Sequence, residues 1–198
     1  MKAIPRQERA RKKRTALIDA AIREFSRVGF DASTAKSIAL VAGVATGTFY
    51  QYFENKNEIL RIIATERYAQ LQDHIQWFEL QGAEIPDQQL NALFERILQS
   101  VYDFHATNPQ LHQVLEQRKT ADPELLRIMK HGQGALFSRI LLFVQSFNVL
   151  NAEVVANNVF AMGEGIVHHQ VFARPDLNSR DVIRVGAKML ANYFRSLR

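Results

Sequence analysis

The fold of this 198-residue chain is decided by residues 33–60, STAKSIALVAGVATGTFYQYFENKNEIL. Thr34 is a suitable helix N-cap, and the residues after it show helical periodicity until Gly43, which can end a helix in the left-handed conformation. After the turn 43–45, a second short helix is predicted from Thr46 to Phe53. This is the geometry of a helix-turn-helix unit, whose second helix enters the major groove of DNA. Many helical proteins contain such a pair, so the spacing alone leaves DNA binding open.

The two faces of the predicted second helix differ in composition. At about 100° per residue, Phe49 and Phe53 share one face, which is predicted to pack inward. Gly47, Tyr50 and Gln51 lie on or near the opposite face, where a structural surface helix would normally carry Lys and Glu. Gly47 costs roughly 1 kcal/mol of helix propensity relative to Ala, and a close approach of the backbone to DNA is one reason to keep it.

The positive charge of the chain lies in its first segment. Residues 1–56 carry 11 Lys and Arg against 5 Asp and Glu, whereas residues 57–198 carry 14 against 15. Seven of these basic residues lie between Lys2 and Arg14, with Glu8 as their only acidic neighbour. This arm is interpreted either as a solvated, partly disordered tail or as a segment that binds phosphates.

The rest of the chain is predicted to be all-α, because apolar residues recur at spacings of three and four and no sustained alternation occurs. The stop and start signals are Gly29, an Asn55/Glu58 capping box, Asp87 as a cap, and Asp122 before Pro123. Gly82–Pro86 is the predicted boundary loop. The predicted helices are Gln7–Val28, one from Thr34 to Gly43, Thr46–Phe53, Lys56–Leu80, one from Asp87 to Asn108, Gln110–Arg118, Pro123–Phe147, Ala152–Phe172 and Ser179–Leu197.

Several classes of protein are not expected from this sequence. It has no cysteine, which excludes disulfides and thiolate metal sites. Charged residues interrupt the apolar run after the basic start, and nowhere do about 18 apolar residues follow one another, so we expect a cytoplasmic protein without a membrane segment. A glycine-rich phosphate loop, a G-x-S-x-G elbow and an H-E-x-x-H helix are all missing, so we expect no enzyme and no cofactor.

Residues 33–60 resemble the signature of the TetR (tetracycline repressor) family of bacterial regulators. The resemblance covers roughly residues 11–60, and it is found in the runs 38–39, 42–44 and 47–50 and in Phe53 with Lys56. It implies a homodimeric repressor that binds a pseudo-palindromic double-stranded operator and is released from it by a small molecule. It also implies two domains, an arm with a helix-turn-helix unit over residues 1–54 and a ligand-binding and dimerisation domain over residues 55–198.

Carried over by position, the resemblance assigns nine residues to the DNA contact. Phosphate contacts are expected from Thr34, Tyr50, Tyr52 and Lys56, and contacts at or near base edges from Lys36, Thr46, Gly47, Thr48 and Gln51.

Some of these nine residues have a structural alternative. Thr34 can be a cap only, Thr48 can be half-buried, and Tyr52 can offer only its hydroxyl. Family members commonly have Ser or Thr where this chain has Ala45, so a cap is either lost or moved to Thr46, which would occupy the Thr46 hydroxyl.

The later helices are expected to bind the effector and a second subunit. In the family, the last two helices pair between subunits, which indicates an interface here of Val159, Phe160, Ile166, Gly186, Met189, Leu190 and Phe194. Packing within one chain predicts the same pattern. Effector contacts are expected from Phe94, Phe104, His105, His112, Glu116, Phe137 and His168. A core role is the preferred explanation for Phe94 and Phe137, and His105 can simply lie near the carbonyls that end its helix. Adjacent histidines on a helix point about 100° apart, so His168 and His169 do not predict a metal site, although Glu164 and His168 can share one helix face.

Overall fold

The computed structural model describes residues 7–74 and 85–197, and all regular secondary structure in these ranges is helical, as predicted. Two predictions extend outside the described residues, namely the end of the fourth helix at residues 75–80 and most of the boundary loop Gly82–Pro86. The helices are α1 (Glu8–Ala32), α2 (Ala35–Val41), α3 (Thr46–Tyr52), α4 (Lys56–His74), α5 (Asp87–Ala106), α6 (Pro109–Arg118), α7 (Pro123–Gln145), α8 (Ala152–Phe172) and α9 (Ser179–Arg195).

Most helix boundaries follow the local signals in the sequence, but α1 continues beyond its predicted end at Val28, and one predicted cap is wrong. Gly29 breaks α1 with φ +80°, and the chain regains helical geometry until Ala32. The Phe25 and Phe30 rings on either side of this kink lie 5.3 Å apart, as expected for a hydrophobic contact at a helix end. The prediction that Asp87 caps α5 is wrong. Pro86 occupies the N-cap position, and Asp87 is the first helical residue.

The chain divides into two compact units, and the first is formed by Met1–Tyr68 and Asn108–Lys130. In this unit α1 packs against α2 and α6, and α2 packs against α3. The core contains large side chains from each of these elements and from α4, among them Leu17, Phe25, Ile38, Phe49, Phe53, Ile59, Leu60 and Leu111.

The second unit is formed by Ala69–Thr107 and His131–Arg198, and α5 packs there against α8 and α9. Phe194 of α9 is fully buried, and its ring lies 5.0 to 5.3 Å from the rings of Phe94, Phe143 and Phe147. This aromatic cluster is the centre of the hydrophobic core of the unit. The division into units follows packing, whereas the predicted division at residues 54/55 concerns function and stays a prediction.

An ion pair between half-buried Arg61 and buried Asp122 joins α4 to the start of α7 inside the first unit. Arg61 donates from Nε to both carboxylate oxygens of Asp122, at 3.1 and 2.9 Å, and its Nη2 lies 2.9 Å from Oδ1. Asp122 Oδ1 also accepts from the Leu125 N–H at 3.0 Å, which is the cap predicted for this helix. Burial alone would raise the pKa of Asp122, but the hydrogen bonds from Arg61 and the backbone outweigh it and lower this pKa.

Because the folded-state pKa of Asp122 is lowered, its carboxylate contributes stability that is complete above the unfolded pKa of about 3.9 and is lost as the pH falls through the lower folded value. We expect Asp122→Asn to lower the free energy of unfolding by about 2 kcal/mol between pH 5 and 8. The difference from the wild type should shrink below pH 4, as measured by urea unfolding at each pH. Asp176→Asn, which breaks the exposed Arg174–Asp176 pair, is the matched control and should have a smaller effect. An equal loss in both variants would contradict this role for Asp122.

Candidate nucleic-acid interface

Helices α2 and α3 form the predicted helix-turn-helix unit. Gly43 lies in the turn with φ +68°, a backbone conformation that favours glycine. The Val44 N–H donates to the Ala39 carbonyl at 3.0 Å, which closes the turn. Phe49 and Phe53 are fully buried with ring centroids 5.6 Å apart, so this face of α3 packs inward as predicted.

The nine residues predicted to contact DNA differ in exposure. Tyr50 is 52% exposed, and Gly47 and Gln51 on the same side of α3 are also exposed. On the neighbouring element, Thr34 and Lys36 are exposed as well. The remaining four are half-buried, namely Thr46, Thr48, Tyr52 and Lys56. The outward face of α3 therefore has the composition that the sequence predicts, and its contact with DNA stays a prediction.

The caps of the two helices decide which hydroxyls remain available. Thr34 Oγ1 accepts from the Ser37 N–H at 3.0 Å, and Ser37 Oγ accepts from the Thr34 N–H at 3.0 Å, so the two residues form a capping box. The hydroxyl proton of Thr34 is not used in this pair and can still be donated to a phosphate. Ala45 occupies the N-cap position of α3, where no side chain caps the helix. The cap is therefore lost, and it does not move to Thr46.

Lys56 is already engaged within the first unit. Its ammonium donates to the backbone carbonyls of Phe30, Asp31 and Ser33 at 2.7, 3.2 and 3.0 Å. Burial lowers the pKa of Lys56, as does the positive charge of Arg118, although Asp31 opposes this shift. The sequence does not predict this arrangement, because the three carbonyls lie more than 20 residues away along the chain.

Part of the basic arm is helical. The described chain starts at Gln7 and α1 begins at Glu8, so Arg9, Arg11 and Lys12 lie exposed on its first turns. Lys12 is 2.8 Å from Glu8, with both side chains largely in solvent, which makes the pair weak. Arg14 is half-buried, 5.5 Å from the centre of the Phe53 ring. The arm residues 1–6 lie outside the described residues.

The residues predicted to bind an effector are divided between the two units. His112 and Glu116 belong to the first unit and the other five to the second. Phe94 is a core residue, in contact with Phe143 and Phe194. The Phe137 ring lies 6.3 Å from that of Phe160.

Three of the predicted effector residues come together between α5 and α8, in what we call the His105 cluster. His105 is buried, and its ring lies 5.2 Å from that of Phe104 and 5.9 Å from that of His168. Its Nε2 is 3.4 Å from Glu164 Oε2. Phe172 completes the cluster, 4.5 Å from the His168 ring. Phe172 is not predicted by the sequence, whereas the spacing of Glu164, one helical turn before His168, indicates a shared helix face.

The predicted subunit interface is partly core. Gly186, Leu190 and Phe194 are buried inside the second unit, and a Cβ at Gly186 would lie 3.0 Å from Ile166 Cδ1 and 3.2 Å from Leu98 Cδ1. These three residues therefore pack within one chain, which is the alternative to a subunit interface. The small and apolar face of α9 lies against α5 and α8. Of the other predicted interface residues, Met189 is 54% exposed and Val159, Phe160 and Ile166 are half-buried.

The structure also bears on other kinds of site. No helix in residues 7–74 and 85–197 has the length and apolar character needed to cross a membrane. Within the same ranges no three His, Asp or Glu side chains are grouped closely enough to hold a metal ion.

Comparison with known proteins finds a family model that matches the first part of the chain and solved structures that share the fold of nearly the whole chain. Residues 17–63 match the family model of bacterial regulatory proteins, tetR family. A stretch of 60 residues is 42% identical to the fatty acid metabolism regulator protein of Bacillus subtilis (strain 168), covering 30% of this chain and 31% of that protein. The match thus spans about a third of the length of that curated relative.

Two solved structures show the fold over nearly the whole chain. One is a proposed TetR-family transcriptional regulator from Mesorhizobium loti MAFF303099, with a TM-score of 0.79 and 19% identity, covering 96% of this chain and 98% of that one. The other is the fatty acid degradation regulator FadR from Bacillus halodurans, with a TM-score of 0.70 and 20% identity, covering 90% and 94%.

Gly47 has no packing role in the free protein, because a Cβ built there has nothing within 4 Å. We expect Gly47→Ala to stabilise the protein by up to about 1 kcal/mol while weakening binding to DNA, since the added methyl group would hold the backbone away from it. Thermal unfolding and duplex titration measure the two effects. Gly134→Ala in α7, where the space is also open, is the matched control and should stabilise without changing DNA affinity. If Gly47→Ala binds DNA as tightly as the wild type, close approach does not explain this glycine.

Proposed function

Because residues 17–63 of this chain match the family model of bacterial regulatory proteins, tetR family, we propose that the protein is a sequence-specific DNA-binding transcriptional regulator. It acts as a homodimeric repressor in the bacterial cytoplasm, and a small molecule releases it from its operator. It has no enzymatic activity. The observation that supports this proposal most directly is the outward face of α3, which presents Gly47, Tyr50 and Gln51 from a helix anchored by buried phenylalanines.

The exposure and composition of the outward face of α3 support the proposed contact with DNA. Uncharged side chains that can donate and accept hydrogen bonds are suited to base edges, whereas hydroxyls and cations near the helix ends are suited to phosphates. Gln51 and Lys36 are the exposed candidates for base contacts, and Tyr50 and Thr34 are those for phosphates. Thr46, Thr48 and Tyr52 present only part of their surface and would contribute at the edge of the contact.

The exposed surface of α8 and α9 supports the proposed homodimer. After the core residues are set aside, these helices still expose five large hydrophobic side chains, which favour association with a second copy. Two such copies would place their α3 helices about 34–36 Å apart, one turn of DNA, and so would require a pseudo-palindromic operator. The exposed side chains are Val154, Met162, Val185, Met189 and Tyr193.

DNA binding is tested with the full-length protein and the promoter duplex beside its gene. We expect affinity that falls steeply with salt concentration and a preference of at least about a thousandfold over unrelated duplex. Tyr50→Ala should weaken binding about tenfold or more, and Tyr50→Phe should show how much of that loss belongs to the hydroxyl. Gln89→Ala on α5, an exposed glutamine of the second unit, is the control and should bind normally. Wild-type affinity in Tyr50→Ala would contradict the assignment of this surface.

The His105 cluster is the proposed centre of effector binding. The Phe104 and Phe172 rings lie 5.2 and 6.3 Å from the His105 ring, whose Nε2 is 3.4 Å from Glu164 Oε2. Apolar rings beside a few polar groups are typical of ligand sites. The names of two relatives refer to the metabolism and degradation of fatty acids. Fatty acids are therefore the first compounds to screen.

Effector release is tested by titrating fatty acids into the protein–duplex complex. We expect one chain length to lower DNA affinity, because a ligand that binds one conformation better shifts the population towards it. Phe104→Ala should weaken this response about tenfold while leaving DNA affinity unchanged without effector. Glu153→Ala at the exposed start of α8 is the control. An unchanged response in Phe104→Ala would remove the His105 cluster from the proposal, and a complex that no metabolite dissociates would contradict release by a ligand.

A further inference from the structure

We propose that Lys56 is a positioning residue that holds the end of α1 in place for the helix-turn-helix unit, and that it does not contact a DNA phosphate. This inference rests on the proposed DNA binding for its functional consequence. Its structural part concerns the free protein alone, so it can be tested separately. It assigns to Lys56 a role different from the one expected by position.

The hydrogen bonds of Lys56 use its full capacity as a donor. An ammonium group has three N–H donors, and the three carbonyls that it reaches belong to Phe30, Asp31 and Ser33, at 2.7, 3.2 and 3.0 Å. A phosphate oxygen could be bound only by giving up one of these bonds or by sharing a proton between two acceptors. The free protein therefore opposes a phosphate contact by this group.

The site suits a cation for reasons of its own. The last carbonyls of a helix lack intrahelical partners and carry a partial negative charge, which a lysine near the helix end compensates. In α1 the kink at Gly29 brings the final turn to this point. The ammonium also lies 4.4 Å from the centre of the Phe30 ring, within the range of a cation–π interaction.

The segment held by Lys56 leads directly into the DNA-binding helices. Ser33 is buried, and the next residue, Thr34, is the N-cap of α2. Fixing the carbonyls of residues 30–33 therefore fixes the direction in which α2 leaves α1. From α6, Arg118 lies 4.5 Å from the Phe30 ring and 3.6 Å from the Asp31 carboxylate, which adds a second contact on the same segment.

The test compares Lys56→Met with Lys36→Met in the full-length protein. Methionine keeps the apolar stem of the lysine and removes its charge and donors. Lys36 is exposed on α2 and is the matched control for a lysine that would meet DNA. The measurements are thermal unfolding without DNA and the salt dependence of binding to the promoter duplex.

For Lys56→Met we expect a melting temperature lowered by about 5 °C and an affinity lowered about tenfold, with the slope of log Kobs against log salt unchanged. For Lys36→Met, which removes a proposed base contact, we expect an unchanged melting temperature and an altered base preference. A slope reduced by about 0.9 in Lys56→Met, or an unchanged melting temperature, would overturn the proposal. If the wild type bound no duplex, the proposed function would fail. The thermal unfolding measurements would still test the positioning role of Lys56.

A second variant covers the case in which Lys56→Met does not fold. Lys56→Gln is neutral but keeps an N–H donor, so it can still bond to at least one of the three carbonyls. A positioning role predicts a melting temperature higher than that of Lys56→Met and a wild-type salt slope. A phosphate contact predicts a reduced slope as in any neutral variant, and this result would count against the proposal.

Discussion

The surface proposed to meet DNA depends on the burial of Phe49 and Phe53 beneath α3. A helix of seven residues is not stable by itself in water, so α3 exists only because one of its faces is packed. Burying a phenylalanine side chain contributes about 1.5–3 kcal/mol. The helical repeat places Gly47, Tyr50 and Gln51 on the side of α3 opposite the buried phenylalanines. The packing that forms α3 therefore also exposes these three residues to solvent.

Much of the fold could be predicted because helix ends are encoded locally. The bounds of α8 agree with the prediction, and the predicted caps at Thr34 and Asp122 are present. The assignment of Asp87 as the N-cap was wrong because Asp is favoured both at the N-cap and in the first turn of a helix. Only the backbone geometry at Pro86 distinguishes the two positions.

The contacts that shape the site could not be predicted, because they join residues far apart in the chain. Lys56 on the carbonyls of residues 30–33, Arg61 on Asp122 and His105 near Glu164 each require the folded arrangement of the helices. Leu190 and Phe194 illustrate a second limit. A helix face that packs within its own chain and one that packs on a second subunit need the same apolar residues, so the sequence pattern does not separate them.

The first compact unit is discontinuous in sequence, since α6 packs against α1 and contributes the buried side chains of Leu111 and Leu115. A recombination event or an engineered fusion that cut the chain after α4 would leave α1 without this partner and expose an apolar strip to water. The first unit, which carries the surface proposed to meet DNA, is therefore incomplete without α6. An exchange of this unit between related proteins would therefore have to carry residues 109–118 along with α1–α4.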